Sequence, residues 1–404
     1  MPLINSEELF SKLARQSKAS SIREILKIIQ SSDVISLAGG MPDPITFPVN
    51  DLKEICADVL TRDSGRALQY SSTEGLLQLR KFLLQWLDLD KKRYQTDNIV
   101  ITSGSQQGLD LMSKALLDPG DIVIVELPSY LAALNAFRSY GAEMIGIPMD
   151  GEGMQIDLLD KILKQITKKG KKVKFIYTIS NFQNPAGVTM SLSRRKKILK
   201  IASKHNLFIL EDNPYDKLRF EGKPLPSILS FDEEGRVINL GTFSKILCPG
   251  LRLAWITGNK EIIEKIVILK QATDLCTPIL NQMIAQEYCS KGCIDKNIDS
   301  NISVYREKRD VMLESLEKYF PESAFWNKPE GGFFVFVTLP EKINADEMLY
   351  DAVKEKVAYV SGSSFFANGE GKNTMRLSFC YPAVDDIKEG IKRLGKVIEK
   401  QLYN

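Results

Sequence analysis

The middle of the chain alternates short, nearly continuous apolar runs with longer stretches of helical periodicity. The apolar runs have the length of β-strands and lie at 98–102, 122–126, 143–147, 173–178, 207–211, 237–240 and 253–257. Helical periodicity falls between them near 105–117, 130–140, 156–168 and 191–205. Apolar strands that are separated by helices are typical of a mostly parallel sheet covered on both faces. The sequence therefore predicts an α/β fold.

The last third of the chain has a different order of predicted helices and strands. Helical stretches near 259–275 and 297–319 are followed by strands at 333–338, 358–361 and 375–379, with further helices near 345–356 and 384–402. A chain of 404 residues also exceeds what one hydrophobic core usually holds. We therefore expect a large domain at 46–290 and a smaller α+β domain at 291–404. An N-terminal arm at 1–45 is expected to pack with the smaller domain.

Composition excludes several classes of protein. The 54 basic and 51 acidic residues leave a net charge of only +3, and no basic stripe with interleaved aromatic residues is present, which argues against nucleic-acid binding. We expect no signal peptide, because the first residues have no basic region that leads into an apolar stretch, and no apolar run reaches the roughly 18 residues of a membrane span. Six scattered cysteines and a single histidine leave little for a metal site. The expectation is a cytoplasmic protein with reduced thiols and no metal.

Polar residues cluster directly after four of the predicted strands. These clusters are 103–107, 181–185, 212–215 and the segment that ends at Lys245. Ligands of open α/β sheets bind outside the carboxyl ends of the strands. The four clusters are therefore expected to form the rim of one pocket.

Lys245 is the most informative residue of this rim. It ends the segment Gly-Thr-Phe-Ser-Lys at 241–245, and Arg252 follows seven residues later. A lysine at a strand exit, flanked by hydroxyls and a second cation, suits a covalent bond to a carbonyl carbon beside a phosphate. Taken alone, a Ser-Lys pair is more often a solvated surface feature.

A phosphate site is predicted where the segment after the first of these strands opens a helix. There Gly104, Ser105 and Gln106 offer flexible backbone, a hydroxyl and an amide at a helix N-terminus, although Ser105 could also be an ordinary N-cap. Ser244 and Arg252 would add a hydroxyl and a guanidinium. Neither a G-x-G-x-x-G following a strand nor a G-x-x-x-x-G-K-[ST] motif occurs, so a dinucleotide or nucleoside triphosphate is not expected.

The remaining rim residues suit a pyridine ring. Asp212 could keep a ring nitrogen protonated, or it could cap the turn at Pro214. Tyr215 and Asn184 could bond a phenolic ring oxygen. Tyr130 could stack on the ring, or it could be a core aromatic residue. An aldehyde-bearing pyridine phosphate needs these partners together with a lysine, which indicates pyridoxal 5′-phosphate.

Over nearly its whole length the chain resembles the fold-type I pyridoxal phosphate-dependent aminotransferases, and among them the 2-aminoadipate, kynurenine and aromatic aminotransferases. The segments that carry the resemblance are 36–44, 69–75, 102–107, 184–189, 211–215, 241–245, 249–252 and 375–379. Their order and spacing agree with the family together. The resemblance implies a large domain with a mostly parallel sheet and a smaller α+β domain.

The resemblance also implies roles for individual residues. Lys245 would bind the cofactor covalently and move a proton between the substrate α-carbon and C4′, while Asp212 would pair with the ring nitrogen. The other cofactor contacts implied are the O3′ donors Asn184 and Tyr215, the stacking Tyr130, the phosphate-binding Gly104, Ser105, Gln106, Ser244 and Arg252, and Tyr70 reaching the cofactor phosphate of a neighbouring subunit in a homodimer. The substrate α-carboxylate would be bound by Arg376, with Gly39 and Asn184 nearby.

The substrate is less constrained. Arg23 lies in the first turn of a predicted amphipathic helix, and the resemblance makes it a candidate for binding the distal carboxylate of 2-aminoadipate or glutamate; alternatively it is an exposed arginine. The expected reaction moves an amino group from 2-aminoadipate, an aromatic amino acid or a similar donor to 2-oxoglutarate by a ping-pong mechanism. The alternatives are a β-lyase of the same fold, or a non-catalytic regulatory relative.

Overall fold

The structure is a computed structural model that describes residues 9–16, 33–89 and 93–403. The strands of these residues are β1 (Ile35–Ser36), β2 (Ile99–Thr102), β3 (Ile122–Leu127), β4 (Glu143–Asp150), β5 (Gly153–Met154), β6 (Val173–Thr178), β7 (Phe208–Asp212), β8 (Val237–Thr242), β9 (Ala254–Thr257), β10 (Phe325–Trp326), β11 (Phe334–Thr338), β12 (Val357–Ala358), β13 (Val360–Ser361) and β14 (Thr374–Ser378). The α-helices are α1 (Lys12–Gln16), α2 (Val49–Ala67), α3 (Leu77–Trp86), α4 (Ser105–Leu116), α5 (Leu131–Ser139), α6 (Ile156–Lys168), α7 (Leu192–Lys204), α8 (Lys260–Gln271), α9 (Ile279–Ser290), α10 (Cys293–Tyr319), α11 (Ala345–Lys354) and α12 (Val384–Tyr403).

The predicted α/β sheet is present. Its strand order is β2-β9-β8-β7-β6-β3-β4-β5. The pairs from β8 through β7, β6 and β3 to β4 are parallel, whereas β9 runs antiparallel to both of its neighbours and β5 runs antiparallel to β4. Because β9 is antiparallel to both β2 and β8, β2 runs in the same direction as β8. The carboxyl ends of β2, β6, β7 and β8 therefore meet at one edge, which is where the sequence placed its polar clusters.

Alternate residues of the central strands pack against two helical layers. Val123 and Val125 of β3 join a cluster with α4 and α5, while Ile122 and Ile124 join a separate cluster with α6 and α7. Because side chains alternate across a strand, the apolar runs of the sequence are apolar on both faces. Helices packed on both faces of the sheet therefore hold the ends of the central strands in place.

A second sheet contains β10-β11-β14-β13 and is antiparallel. The prediction of one strand at 358–361 was wrong in detail. Val357 and Ala358 pair with β1 in a separate two-stranded sheet, whereas Val360 pairs with Arg376 of β14. The chain changes partners at the buried Tyr359, whose hydroxyl donates to the Ala345 carbonyl at 2.6 Å.

Across the parts of the chain that the structure describes, no helix has the length and apolar character needed to cross a membrane.

Candidate active site

One cleft of about 290 Å³ opens at the carboxyl edge of the large sheet. It is lined by most of the residues that the sequence singled out, namely Gly39, Ser105, Gln106, Tyr130, Asn184, Asp212, Tyr215, Ser244, Lys245, Arg252 and Arg376. The structure adds lining residues that the sequence did not indicate, among them Gly40, Thr242 and Phe334. The prediction that the four polar clusters share one pocket is confirmed.

Lys245 projects into this cleft just beyond the end of β8. Its Nζ donates a hydrogen bond to the Gly40 carbonyl at 2.9 Å and lies 5.5 Å from the centre of the Phe333 ring. Burial lowers the pKa of Lys245 to about 8, and the nearby cations Arg376 and Arg252 act in the same direction. About a tenth of the amine is therefore uncharged at pH 7, far more than for an ordinary lysine.

Asp212 is the last residue of β7 and is 3% exposed. One carboxylate oxygen, Oδ2, accepts a hydrogen bond from the Tyr177 hydroxyl at 3.0 Å, whereas the buried Oδ1 has no partner among the described residues. Burial raises the pKa of Asp212 to about 7. An unpaired buried carboxylate oxygen is costly, so this atom calls for a cationic or N–H donor from a bound molecule.

Sequence reasoning missed Tyr177. It lies in β6, where its register partner is Leu210 of β7, and its side chain joins the helical cluster that contains α4 and α5. The only sequence signal was a phenol within an otherwise apolar strand. Its hydroxyl bonds Oδ2 of the cleft-lining Asp212 and leaves Oδ1 without a partner among the described residues.

An anion cradle is formed where α4 begins. Gly104 has φ +84 and is the N-cap, so the interpretation of Ser105 as an N-cap was wrong; Ser105 is the first helical residue. A Cβ on Gly104 would lie 2.2 Å from Nη2 of Arg252, which shows how closely the guanidinium approaches the helix start. Free N–H groups of a first helical turn, a guanidinium and the hydroxyls of Ser105 and Ser244 suit a phosphate.

Arg376 lines the same cleft and is a candidate for a second anion site. It is 3% exposed, and its two terminal nitrogens donate to Asn184 Oδ1 at 2.9 Å and to the Ala38 carbonyl at 2.7 Å. Its buried Nε has no partner among the described residues, and the guanidinium carbon lies 4.1 Å from the centre of the Phe334 ring. Burial lowers the pKa of Arg376 to about 10, so the side chain is still a cation at neutral pH.

Two tyrosines, Tyr130 and Tyr215, also line the cleft. Tyr130 precedes α5, and burial raises its pKa to about 12. Tyr215 is 3% exposed and packs its ring against Phe333 and Phe334, with centroids 5.4 and 6.0 Å away. The Tyr215 hydroxyl makes no hydrogen bond to the described part of the chain, and burial raises its pKa well above the ordinary value. Both tyrosines are therefore neutral hydroxyl donors that face the cleft.

Of the described residues with predicted roles, Gly104 and Tyr70 are not among those that line this cleft. Tyr70 is 77% exposed, in a loop that is tied to the sheet by a hydrogen bond from the Ile101 amide to the Glu74 carbonyl. Arg23 lies outside the described residues.

The family model for aminotransferases of class I and II matches residues 32–394 of this chain. The chain belongs to this family. Aromatic-amino-acid aminotransferase 1 of Thermococcus litoralis is 50% identical over 405 residues, which cover 99% of this chain and 96% of that protein. The 2-aminoadipate transaminase of Thermus thermophilus is 39% identical over 402 residues, 99% of this chain and 98% of its own. The crystal structure of Pyrococcus horikoshii kynurenine aminotransferase with PMP superposes with a TM-score of 0.96 at 49% identity and covers 99% of both chains.

These relatives confirm the resemblance drawn from the sequence motifs. The protein is an aminotransferase with the fold-type I architecture, in which the large, mostly parallel sheet carries the cleft. The family, and the PMP bound to the Pyrococcus enzyme, imply pyridoxal phosphate as cofactor.

The cleft of this aminotransferase fits that cofactor at two independent places. The unpartnered Oδ1 of Asp212 matches a protonated ring nitrogen. The cradle of Gly104, Ser105 and Arg252 matches a phosphate, since a side chain on Gly104 would fill the space beside the guanidinium.

Proposed function

We propose that this aminotransferase binds pyridoxal phosphate in the cleft and moves an amino group from 2-aminoadipate, an aromatic amino acid or a related donor to 2-oxoglutarate by a ping-pong mechanism. The observation that carries the proposal is the buried, unpartnered Oδ1 of Asp212 in the same cleft as the amine of Lys245. Lys245 would bind the cofactor, and Asp212 would face its ring nitrogen.

The other contacts follow from the donors that the cleft leaves free. Arg376 already occupies the Asn184 oxygen, so the amide nitrogen of Asn184 is left to donate to the ring oxygen together with the Tyr215 hydroxyl. Tyr130 stacks on the ring. The phosphate is held by the start of α4 at Gly104, Ser105 and Gln106 and by Ser244 and Arg252.

When bound, pyridoxal phosphate supplies an electron sink for the charge that develops as the substrate loses its α-proton. Arg376 binds the substrate α-carboxylate, with Gly39 and Asn184 beside it, and this orients the α-hydrogen. Once the substrate amine replaces Lys245 in the bond to the cofactor, the released Lys245 amine would accept the α-proton at Nζ, since its lowered pKa favours the neutral form. Asp212 would hold a proton on the ring nitrogen.

The spectrum of the purified protein tests the function. We expect an absorption band of lysine-bound cofactor that converts to the pyridoxamine form on adding 2-aminoadipate and returns with 2-oxoglutarate, which would separate the two half-reactions. A cofactor band without conversion would exclude 2-aminoadipate as donor, and aromatic and branched amino acids would be tried next. No band even after adding pyridoxal phosphate would overturn the proposal.

The active unit is proposed to be a homodimer in which Tyr70 reaches the cofactor phosphate of the neighbouring subunit. Tyr70 does not line the cleft of its own chain. Two apolar side chains are also exposed: Leu68, which is close to Tyr70 in the sequence, at 72%, and Leu275, in the loop after α8, at 48%. Exposed apolar side chains that gather in one patch are typical of a protein interface, and a dimer that covered Leu68 and Leu275 would remove their apolar surface from water. Ser103, which precedes Gly104, donates to Asp274 of that loop at 2.9 Å, so this loop lies beside the proposed phosphate site.

Mixed dimers test the role of Tyr70. We expect Tyr70→Phe alone to lower kcat/KM by about tenfold, because one hydrogen bond to a charged group is lost. A hybrid with an inactive Lys245→Ala subunit should regain activity, since that subunit supplies an intact Tyr70 to a site that retains its lysine. If mixing restores no activity although hybrids form, Tyr70 does not act across the interface.

Arg23 is proposed to bind the distal carboxylate of 2-aminoadipate. Arg23→Ala is expected to raise the KM for 2-aminoadipate by about tenfold or more, because a charge-assisted bond is removed, while the kinetics with leucine change little. Steady-state kinetics with both donors provide the internal control. An equal change for both donors would contradict this role.

A cytoplasmic location is also proposed. All of the cysteines of the sequence lie in the described ranges and are free thiols, which suits a reducing compartment.

A further inference from the structure

A buried carboxylate outside the cofactor contacts links two of the strand exits that form the cleft. Glu126, the penultimate residue of β3, is 1% exposed. Its Oε1 accepts from the Thr178 hydroxyl at 2.5 Å, and its Oε2 accepts from the Ile179 amide at 3.2 Å and from Gln183 Nε2 at 3.0 Å. One carboxylate thus holds the end of β6 and the turn that follows it.

Gln183 extends this link back to the exit of β3. The side chain is fully buried, and its Nε2 donates to the Pro128 carbonyl at 2.9 Å as well as to Glu126. Its Oε1 accepts from the Ala186 amide at 2.8 Å. Two acceptors face Nε2 and one donor faces Oε1, so the orientation of the amide is determined by its surroundings.

The linked segments are those that carry cofactor and substrate contacts. Pro128 is two residues before Tyr130, and Gln183 directly precedes Asn184. Asn184 in turn accepts from Nη1 of Arg376 at 2.9 Å. A displacement at Gln183 would therefore reach the ring-stacking tyrosine, the ring-oxygen donor and the arginine that binds the substrate carboxylate.

We propose that Glu126 and Gln183 form a positioning pair that sets the distance between Tyr130 and Asn184 and so prepares the cleft for the cofactor ring. This inference rests on the proposed function, since it concerns the fit of the cofactor. Neither side chain lines the cleft, so both act through the residues that do. Burial raises the pKa of Glu126 to about 7, and the charge of Asp212 adds to this in the same direction. Burying a carboxylate costs free energy, and the hydrogen bonds from Thr178, Ile179 and Gln183 offset part of that cost.

The geometry also indicates that the hydrogen bonds matter more than the charge. In Glu126→Gln, the amide oxygen can face Ile179 and Gln183, and the amide nitrogen can donate to Thr178 once the hydroxyl of that threonine rotates. In Gln183→Leu, by contrast, the Pro128 carbonyl and the Ala186 amide lose their buried partner. The two substitutions are therefore expected to differ although both leave side-chain size nearly unchanged.

The test titrates cofactor-free wild type and variants with pyridoxal phosphate and records the visible circular dichroism of the bound cofactor, which reports ring orientation. We expect Gln183→Leu to weaken cofactor binding by about tenfold or more, to change the dichroism band, and to raise the KM for the amino donor. Glu126→Gln should keep the band and bind within about threefold of wild type. If Gln183→Leu does not fold, Thr178→Val is used, with a smaller change in the same direction.

Asp232→Asn is the matched control. Asp232 is also a buried carboxylate, 3% exposed, and accepts from the Val237 amide at 2.7 Å, but it does not line the cleft. It should lose stability without a change in the dichroism band. If Gln183→Leu behaves like this control, with lower stability and unchanged cofactor binding and dichroism, the pair is structural only and the proposal is wrong. If wild type itself binds no pyridoxal phosphate, the proposed function fails first.

Discussion

Lys245→Ala is expected to lower kcat by about 10⁴-fold or more while the fold is retained. Lys245 is the only lysine among the described residues that line the cleft, so no second side-chain amine is in place to bind the cofactor or to take the α-proton. The loss should appear with every amino donor, because the proton at the α-carbon is common to all of them. Steady-state rates with 2-aminoadipate and 2-oxoglutarate measure it.

The fold can be checked separately in the same variant. Burial lowers the pKa of Lys245, so the folded protein disfavours the charged amine, and removing it should not lower the melting temperature of the cofactor-free protein. Lys196→Ala is a suitable control, since Lys196 lies on α7 over the Phe231 ring and away from the cleft. Substantial activity in Lys245→Ala, for example a tenth of wild type or about that, would contradict the mechanism.

The sequence predicted the edge of the sheet that carries the cleft because this information is local. Each parallel strand is buried on both faces, so its apolar run ends where the strand ends, and the next polar residue marks the rim. Asp212 was placed after the run at 207–211, and it closes β7. Lys245 was placed after the run at 237–240, and it follows β8 by three residues, since β8 ends at Thr242.

Contacts between strands could not be predicted in the same way. The order of the eight strands and the antiparallel direction of β9 depend on pairings between distant segments, which periodicity does not encode. The bond between Tyr177 and Asp212 depends on the register of β6 and β7. The link from Glu126 to Gln183 depends on how the end of β3 meets the turn that follows β6. Residues that orient the site through such contacts, such as Tyr177 and Gln183, are therefore harder to predict from the sequence than residues that line the cleft.

Helical periodicity also failed in two informative places. Periodicity gave no prediction for α9, where buried residues such as Ile279, Gln282 and Tyr288 are distributed around the helix, so no polar face reveals its period. It gave none for α2 either, where Asp63 has φ −145 and interrupts the helical backbone. Both helices pack against each other, and each is stabilised by that contact more than by its own pattern.

Asp212→Asn is expected to lower kcat by about 10²- to 10³-fold, because a neutral amide no longer holds the proton on the ring nitrogen and the developing charge loses its sink. The amide oxygen can still accept from Tyr177, so the position of the side chain should be retained. Cofactor binding should weaken as well. Steady-state kinetics and titration with pyridoxal phosphate measure the two effects.

The same substitution should stabilise the cofactor-free protein at pH 8. Burial raises the pKa of Asp212 from 3.8 to about 7, so between these values the folded protein binds a proton that the unfolded chain does not. The free energy of unfolding of wild type therefore falls as pH rises through this window, and the asparagine variant lacks that loss. We expect the variant to be more stable at pH 8 by on the order of 2 kcal/mol, and the gain to shrink towards pH 4. Removing the charge of Asp212 also lowers the pKa of Glu126, which adds to the stability of the variant at pH 8 in the same direction. Urea unfolding of both cofactor-free proteins at the two pH values decides: a wild type that is the more stable at pH 8 would mean that Oδ1 already has a partner, and the argument for a ring nitrogen at that atom would fail.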